Sequence, residues 1–245
     1  MKSWARFQPL LRGVSLLAAL LAAGGAQAEP ALQPHVAEYK VSIAVIGSGV
    51  LRTELRPSAD GYVASHSVRP TGIAKVFYGG KITDTAEFEV ADNGFRPTRF
   101  LTLDEVTRDK TEADVDFDWT AGEIRGELNG AEYISSIDEP MFDRVSIQYE
   151  LMSDLLSGRS REDYVLFEFD ELKSVEVRRI GEREVKVPAG RYTAVGIQHQ
   201  AVGSKRITTL WCVEELGYLP VIIEQHRKGK LKMRAALRKY KPLDT

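Results

Sequence analysis

The chain of 245 residues contains a single cysteine, Cys212. No disulfide can form within it, so the fold must rest on packing and hydrogen bonds. Flanked by Trp211 and Val213, the thiol reads as a small buried hydrophobe rather than a nucleophile. Long apolar runs are missing too: the run from Val14 to Ala23 is shorter than the roughly 20 residues that span a bilayer. There is no Ser/Pro-rich linker, no low-complexity tract and no clear internal repeat. Basic charge is not in excess, with 33 Lys and Arg against 35 Asp and Glu, which argues against a nucleic-acid binder with its strongly basic face. No G-x-S-x-G elbow, phosphate loop, dinucleotide fingerprint or H-E-x-x-H motif occurs. Motifs therefore assign no catalytic residue, no cofactor and no metal ligand.

What is present begins with a leader. Lys2, Arg6 and Arg12 precede the short apolar run, and Ala26-Gln27-Ala28 supplies a small-x-small cleavage pattern. This is the organisation of a secretory signal peptide over residues 1–28, cut after Ala28. Export to the periplasm is the expectation, with Glu29–Thr245 as a soluble mature chain that has no transmembrane anchor. Removing the three basic residues of the leader leaves 30 basic against 35 acidic residues, a net charge of −5. A chain of this size can form one large β-rich domain, residues 29–245.

Turn signals at short, regular spacing divide the mature chain into strand-like runs. Asp92-Asn93-Gly94 and Asn129-Gly130 are hairpin turns, because Asn and Gly tolerate positive φ. From Thr111 to Trp119 the alternation is clean: Ala113, Val115, Phe117 and Trp119 share one face, and Glu112, Asp114, Asp116 and Asp118 share the other. The stretch Ile207–Tyr240 reads as three strands. In the last of them Leu231, Met233, Ala235 and Leu237 alternate with Lys230, Lys232, Arg234 and Arg238. The period changes only at 143–157, where Val145, Tyr149, Met152 and Leu156 fall at helical spacing. Asp143 is the expected N-cap and Gly158 the expected C′ residue. The predicted fold is mainly β: a single curved antiparallel sheet or open β-barrel of about a dozen strands around one main α-helix.

Several motifs now stand together: Asp143-Arg144-Val145-Ser146 at the head of the helix, Val187-Pro188-Ala189-Gly190-Arg191-Tyr192, Thr209-Leu210-Trp211, and Leu216-Gly217-Tyr218-Leu219-Pro220-Val221. In these the chain resembles the bacterial envelope family known as domain of unknown function 3108, from about Tyr39 to Leu237. The resemblance implies a periplasmic β-rich protein with no established activity. It also implies an architecture similar to the half-barrels of lipoprotein carriers, which wrap a curved sheet over helices around an apolar cavity. On physical grounds Gly190 and Gly217 suit turns, Pro220 suits an edge or the start of a strand, and Trp211 and Tyr218 would anchor the core.

Candidate sites are few. His35, His66, His199 and His226 have no metal-ligand spacing; His199, in register with Val195 and Ile197, reads as half-buried. The acidic stripe Glu112, Asp114, Asp116, Asp118 points one way along a strand, which suits a solvated face better than a calcium loop. It would pair with the basic stripe of the last strand if the two were neighbours. The run Phe77-Tyr78-Gly79-Gly80 is the one candidate ligand-binding feature. On a strand its aromatics would face opposite sides, and with Ile73 and Val76 it would form the lip of an apolar cavity. The functional expectation is a non-catalytic periplasmic protein holding a lipid or envelope glycan fragment. The alternatives are an envelope scaffold that binds a protein partner through a sheet edge or the basic strand, and an unrecognised hydrolase.

Overall fold

A computed structural model describes residues 32–44, 47–77, 79–107, 110–169 and 171–244. The expected leader lies outside them. Fourteen strands form one antiparallel sheet. The first eight are β1 (His35–Ile43), β2 (Gly47–Pro57), β3 (Gly61–Thr71), β4 (Ile82–Ala91), β5 (Gly94–Asp104), β6 (Glu112–Asp118), β7 (Glu123–Leu128) and β8 (Ala131–Ser136). The last six are β9 (Asp163–Glu168), β10 (Glu171–Val187), β11 (Gly190–Ala201), β12 (Arg206–Val213), β13 (Leu219–Arg227) and β14 (Lys230–Pro242). Two meanders, β1 to β8 and β9 to β14, are joined where β1 pairs with β14, giving the order 8-7-6-5-4-3-2-1-14-13-12-11-10-9. No ladder joins β8 to β9.

Local chemistry explains the elements. In β6, Ala113, Val115 and Phe117 are buried while Glu112, Asp114, Asp116 and Asp118 point away, as the alternation predicts. Asn129 and Gly130 take φ of 53° and 78°, the primed turn that matches strand twist. Pro220 stands second in β13, where its missing N–H falls at a bulge between Trp211 and Cys212. It marks a strand start in the interior of the sheet, not an edge. Helix α2 (Ser146–Ser157) begins three residues later than the sequence suggests. Asp143 still caps it: its Oδ1 accepts the N–H groups of Val145 and Ser146 at 2.7 and 3.0 Å. Gly158 ends the helix at φ 69°.

The concave face of the sheet wraps α2. Tyr149 and Met152 pack into the main core with Tyr39, Leu55, Phe88 and Phe100, while Leu151 faces a second cluster of Tyr164, Val195, Ile197 and Leu210. The gap between the edges β8 and β9 is bridged by side chains and by one short segment. Tyr133 Oη donates to the Phe169 carbonyl at 2.7 Å, and its ring lies 6.2 Å from that of Phe167. Phe142 pairs with the outer edge of β9, exchanging backbone bonds with Val165 and Phe167 at 2.9 and 2.8 Å. Both devices shield an edge that would otherwise template foreign strands.

Three expectations need correction. Residues after Ile73 do not extend: Ala74–Phe77 form a single helical turn, α1, because Gly72 at φ 60° reverses the chain and buried Ala74 closes against Gly47. The acidic and basic stripes are not neighbours, since β6 and β14 have five strands between them; Asp114 pairs instead with Arg99 on β5, at 2.6 Å. Tyr218 anchors the core only in part, packing against the second cluster while partly exposed. It takes φ 59° in the turn before β13, while Trp211 is buried, with the Arg183 guanidinium 3.8 Å above its ring. No helix of the described residues is long and apolar enough to cross a membrane.

Candidate functional site

A row of polar side chains crosses the concave face. Successive ladders align Ala37 with Thr53, Thr53 with His66, His66 with Asp84, and Asp84 with Thr102. Adjacent strands lie about 4.8 Å apart, so the row spans five strands as a continuous track. Period two sets the remaining neighbours of the row: Leu55, Ala64 and Ala86 below are apolar, as are Leu51, Val68 and Ile82 above. At the far end Arg144, in the turn leading into α2, bonds Asp84 at 2.8 Å and also reaches Thr102, whose hydroxyl donates to Asp84 at 2.7 Å. The guanidinium lies over the Phe100 ring at 5.5 Å.

Tyr149 of α2 descends onto the middle of the row. Its ring lies 6.3 Å from His35 and 6.1 Å from His66, and stacks on Phe88 at 5.7 Å. His35 Nδ1 bonds the Gln33 carbonyl at 2.8 Å, which leaves Nε2 as the acceptor of a neutral ring. His35 Nε2, His66 Nε2 and Tyr149 Oη are buried and have no hydrogen-bond partner among the described residues. Burial pushes His66 down to about 4, against which the Asp84 charge works only in part, and lowers His35 as well. At neutral pH two neutral imidazoles and a phenol therefore stand together at the row, each with a polar atom unpartnered among the described residues.

The lower half of the interior is not filled by α2. There the inner face of β10 to β13 and Arg144 bound a cleft of about 1,020 Å3. Val175, His199, Ala201, Thr208 and Gln225 line its wall, following the register Gln225–Thr208–His199. His199 is half-buried, and burial lowers it to about 4. A second cleft, of about 760 Å3, opens beside the C-terminal end of α2 among Arg159, Arg161 and Arg178.

Of the four lip residues expected from sequence, Ile73 and Val76 are 77% and 81% exposed, beside and within α1. Phe77 ends that turn, and Tyr78 lies outside the described residues. Neither Ile73 nor Val76 lines the larger cleft. The polar row escaped sequence reasoning because each of its members sits on a different strand. The one available signal was a polar residue at an inward position of each strand: Thr53, His66, Asp84 and Thr102.

No histidine among the described residues is hydrogen-bonded to a hydroxyl or thiol. Cys212 is buried and its thiol is pushed up to about 12, so it is no thiolate nucleophile at neutral pH. No cluster of three or more His, Cys, Asp or Glu side chains among the described residues is arranged to hold a metal ion.

The family model described as protein of unknown function DUF3108 matches residues 38–235. No curated protein matches the chain. Among solved structures, the β-barrel-like protein of domain of unknown function DUF1849 from Brucella abortus superposes with a TM-score of 0.58 at 14% identity, over 88% of this chain and 100% of that one. A candidate lipoprotein from Parabacteroides distasonis gives a TM-score of 0.34 at 13% identity, covering 86% of this chain and 97% of its own. A candidate exported protein with a YmcC-like fold from Bacteroides fragilis gives 0.32 at 10% identity, with coverage of 86% and 97%.

Proposed function

The chain belongs to the DUF3108 family, and from that premise we propose that it is an exported, non-catalytic envelope protein that holds an apolar or amphipathic molecule inside its open barrel. The observation that carries the reading is the half-filled interior. Helix α2 plugs one half of the concave face, and the other half keeps a cleft of about 1,020 Å3, the size of a small-molecule site. Its walls combine Val175 and Ala201 with Thr208, Gln225 and His199. An amphipathic molecule would meet the apolar side chains Leu166, Leu172, Val175, Ala201 and Val202, with polar and charged groups such as Arg144, Lys173 and Arg227 around them. Export rests on the leader at residues 1–28 and makes the periplasm the compartment.

The test is direct. The protein is produced with its leader, purified from the periplasm without detergent, and examined by native mass spectrometry and by lipid extraction. A bound species of defined mass, released on unfolding, is the expected result. A protein that carries nothing and takes up no fluorescent fatty acid or lipid overturns the reading.

A further inference from the structure

Antiparallel order places every odd-to-even hairpin at one end of the barrel, the end onto which the larger cleft opens. Four neighbouring connections there, from β3–β4 through β1–β2 and β13–β14 to β11–β12, form a continuous arc of the rim. Three of their segments, 72–76, 227–232 and 202–206, contain no Asp or Glu. They carry Lys75, the cluster Arg227, Lys228, Lys230 and Lys232, and the pair Lys205 and Arg206. None of these seven cations makes an ion pair among the described residues, unlike Arg234 farther along β14, which bonds Glu224 at 3.1 Å. The same segments hold bare hydrophobes: Ile73 and Val76 at the tips of the α1 connection, Val202 at 66% exposure and Leu231. The remaining rim differs, since Glu105, Glu168 and Glu171 stand at the β5–β6 and β9–β10 connections.

We propose that this arc is a docking surface for an anionic lipid bilayer, with Ile73, Val76, Val202 and Leu231 entering the headgroup layer while the surrounding lysines and arginines meet lipid phosphates. Solvation alone accounts for charges but not for four large apolar side chains at three of these connections. A neutral apolar partner accounts for the tips but not for unpaired cations without a single interspersed acid. An anionic membrane surface satisfies both, because each juxtamembrane cation is attracted by the surface potential and each apolar tip gains on leaving water. Docked this way, the larger cleft would open toward the lipid. The inference deepens the carrier reading but does not depend on cargo being found.

The purified protein is sedimented with vesicles of phosphatidylcholine alone and with vesicles containing roughly 30% phosphatidylglycerol, at low and high salt. Binding to the anionic vesicles only, weakened by salt, is expected. K228E/K230E/K232E and, separately, I73D/V76D should each lower that binding by about tenfold or more, while urea unfolding shows that both variants fold. Equal binding to neutral vesicles, no binding to either kind, or variants that bind as the parent does would overturn the proposal. A protein that docks but holds no cargo in native mass spectrometry fails the carrier reading alone, and one that holds cargo without docking fails this one alone.

Discussion

The Glu150 carboxylate occupies the space where residue 94 would place a β-carbon. A Cβ built on Gly94 meets Glu150 Oε1 at 2.1 Å, and the next amide, Phe95 N–H, donates to Oε2 at 2.7 Å. Arg161 Nη2 lies 2.8 Å from the other oxygen, as its ion-pair partner. This contact pins α2 to the β4–β5 hairpin. Gly94→Ala introduces a side chain at φ 129° and drives out the carboxylate, so a loss of about 2–4 kcal/mol is expected in urea titration. Glu150→Ala should cost about 1–3 kcal/mol, because it leaves the buried Phe95 amide unsatisfied, while Arg161 keeps Asp154 and the Asn93 carbonyl as partners. A change below about 0.5 kcal/mol in either variant would show that the contact does not hold the helix.

Stability should depend on pH through the buried histidines. In the unfolded chain each titrates near 6.5, whereas burial holds His66 and His199 at about 4. The unfolded state therefore binds protons that the folded state refuses. The contribution is complete above pH 6.5 and is lost as pH falls toward 4, by up to about 1.4 kcal/mol per pH unit for each ring. Buried Asp143 and Glu150, raised by desolvation, act in the opposite sense, so the informative quantity is a difference. His66→Gln should flatten the fall between pH 6.5 and 4 relative to the parent. Parallel curves would place His66 in water.

Cys212 gives a simpler test. Its thiol is buried and pushed up to about 12. At pH 8 a thiol reagent should leave the folded protein unlabelled for hours and react fully once denaturant is added. Rapid labelling of the native protein would mean that the wall formed by β11 and β12 opens readily.

Filling the larger cleft separates binding from folding. Ala201 is half-buried on the cleft wall, at the open end of β11. Ala201→Trp should remove bound species from the purified protein and change unfolding free energy by less than about 1 kcal/mol, because the indole enters existing space. Unchanged cargo with the cleft filled would move the site to the smaller cleft beside Arg178.

Most local structure could be read from sequence, because its causes are local. The alternation of Ala113, Val115 and Phe117, the Asn129-Gly130 turn, the Asp143 cap and the Gly158 terminus each depend on a few adjacent residues. The failures lie where partners are remote. Glu112 to Asp118 and Lys230 to Arg238 are complementary by charge, but strand order separates them, and order is set by which edges meet, not by composition. Residues 73–77 illustrate a second limit. A short apolar run carries no period, and the turn at Gly72 decided it. The row from Thr53 to Thr102 needs four strands in register at once, and only the assembled sheet supplies that.

The pairing of the first strand with the last bears on how the protein folds. His35 lies opposite Pro242, so the midline of the sheet joins the two ends of the chain. Each meander can grow by local hairpins, but the ladder that unites them must close a loop of nearly the whole polypeptide, a step that makes folding slow. Until β14 is available to pair, β1 and β13 have only one neighbour each and the sheet has no spine. A chain cut before Lys230 would hold two half-sheets with nothing to join them.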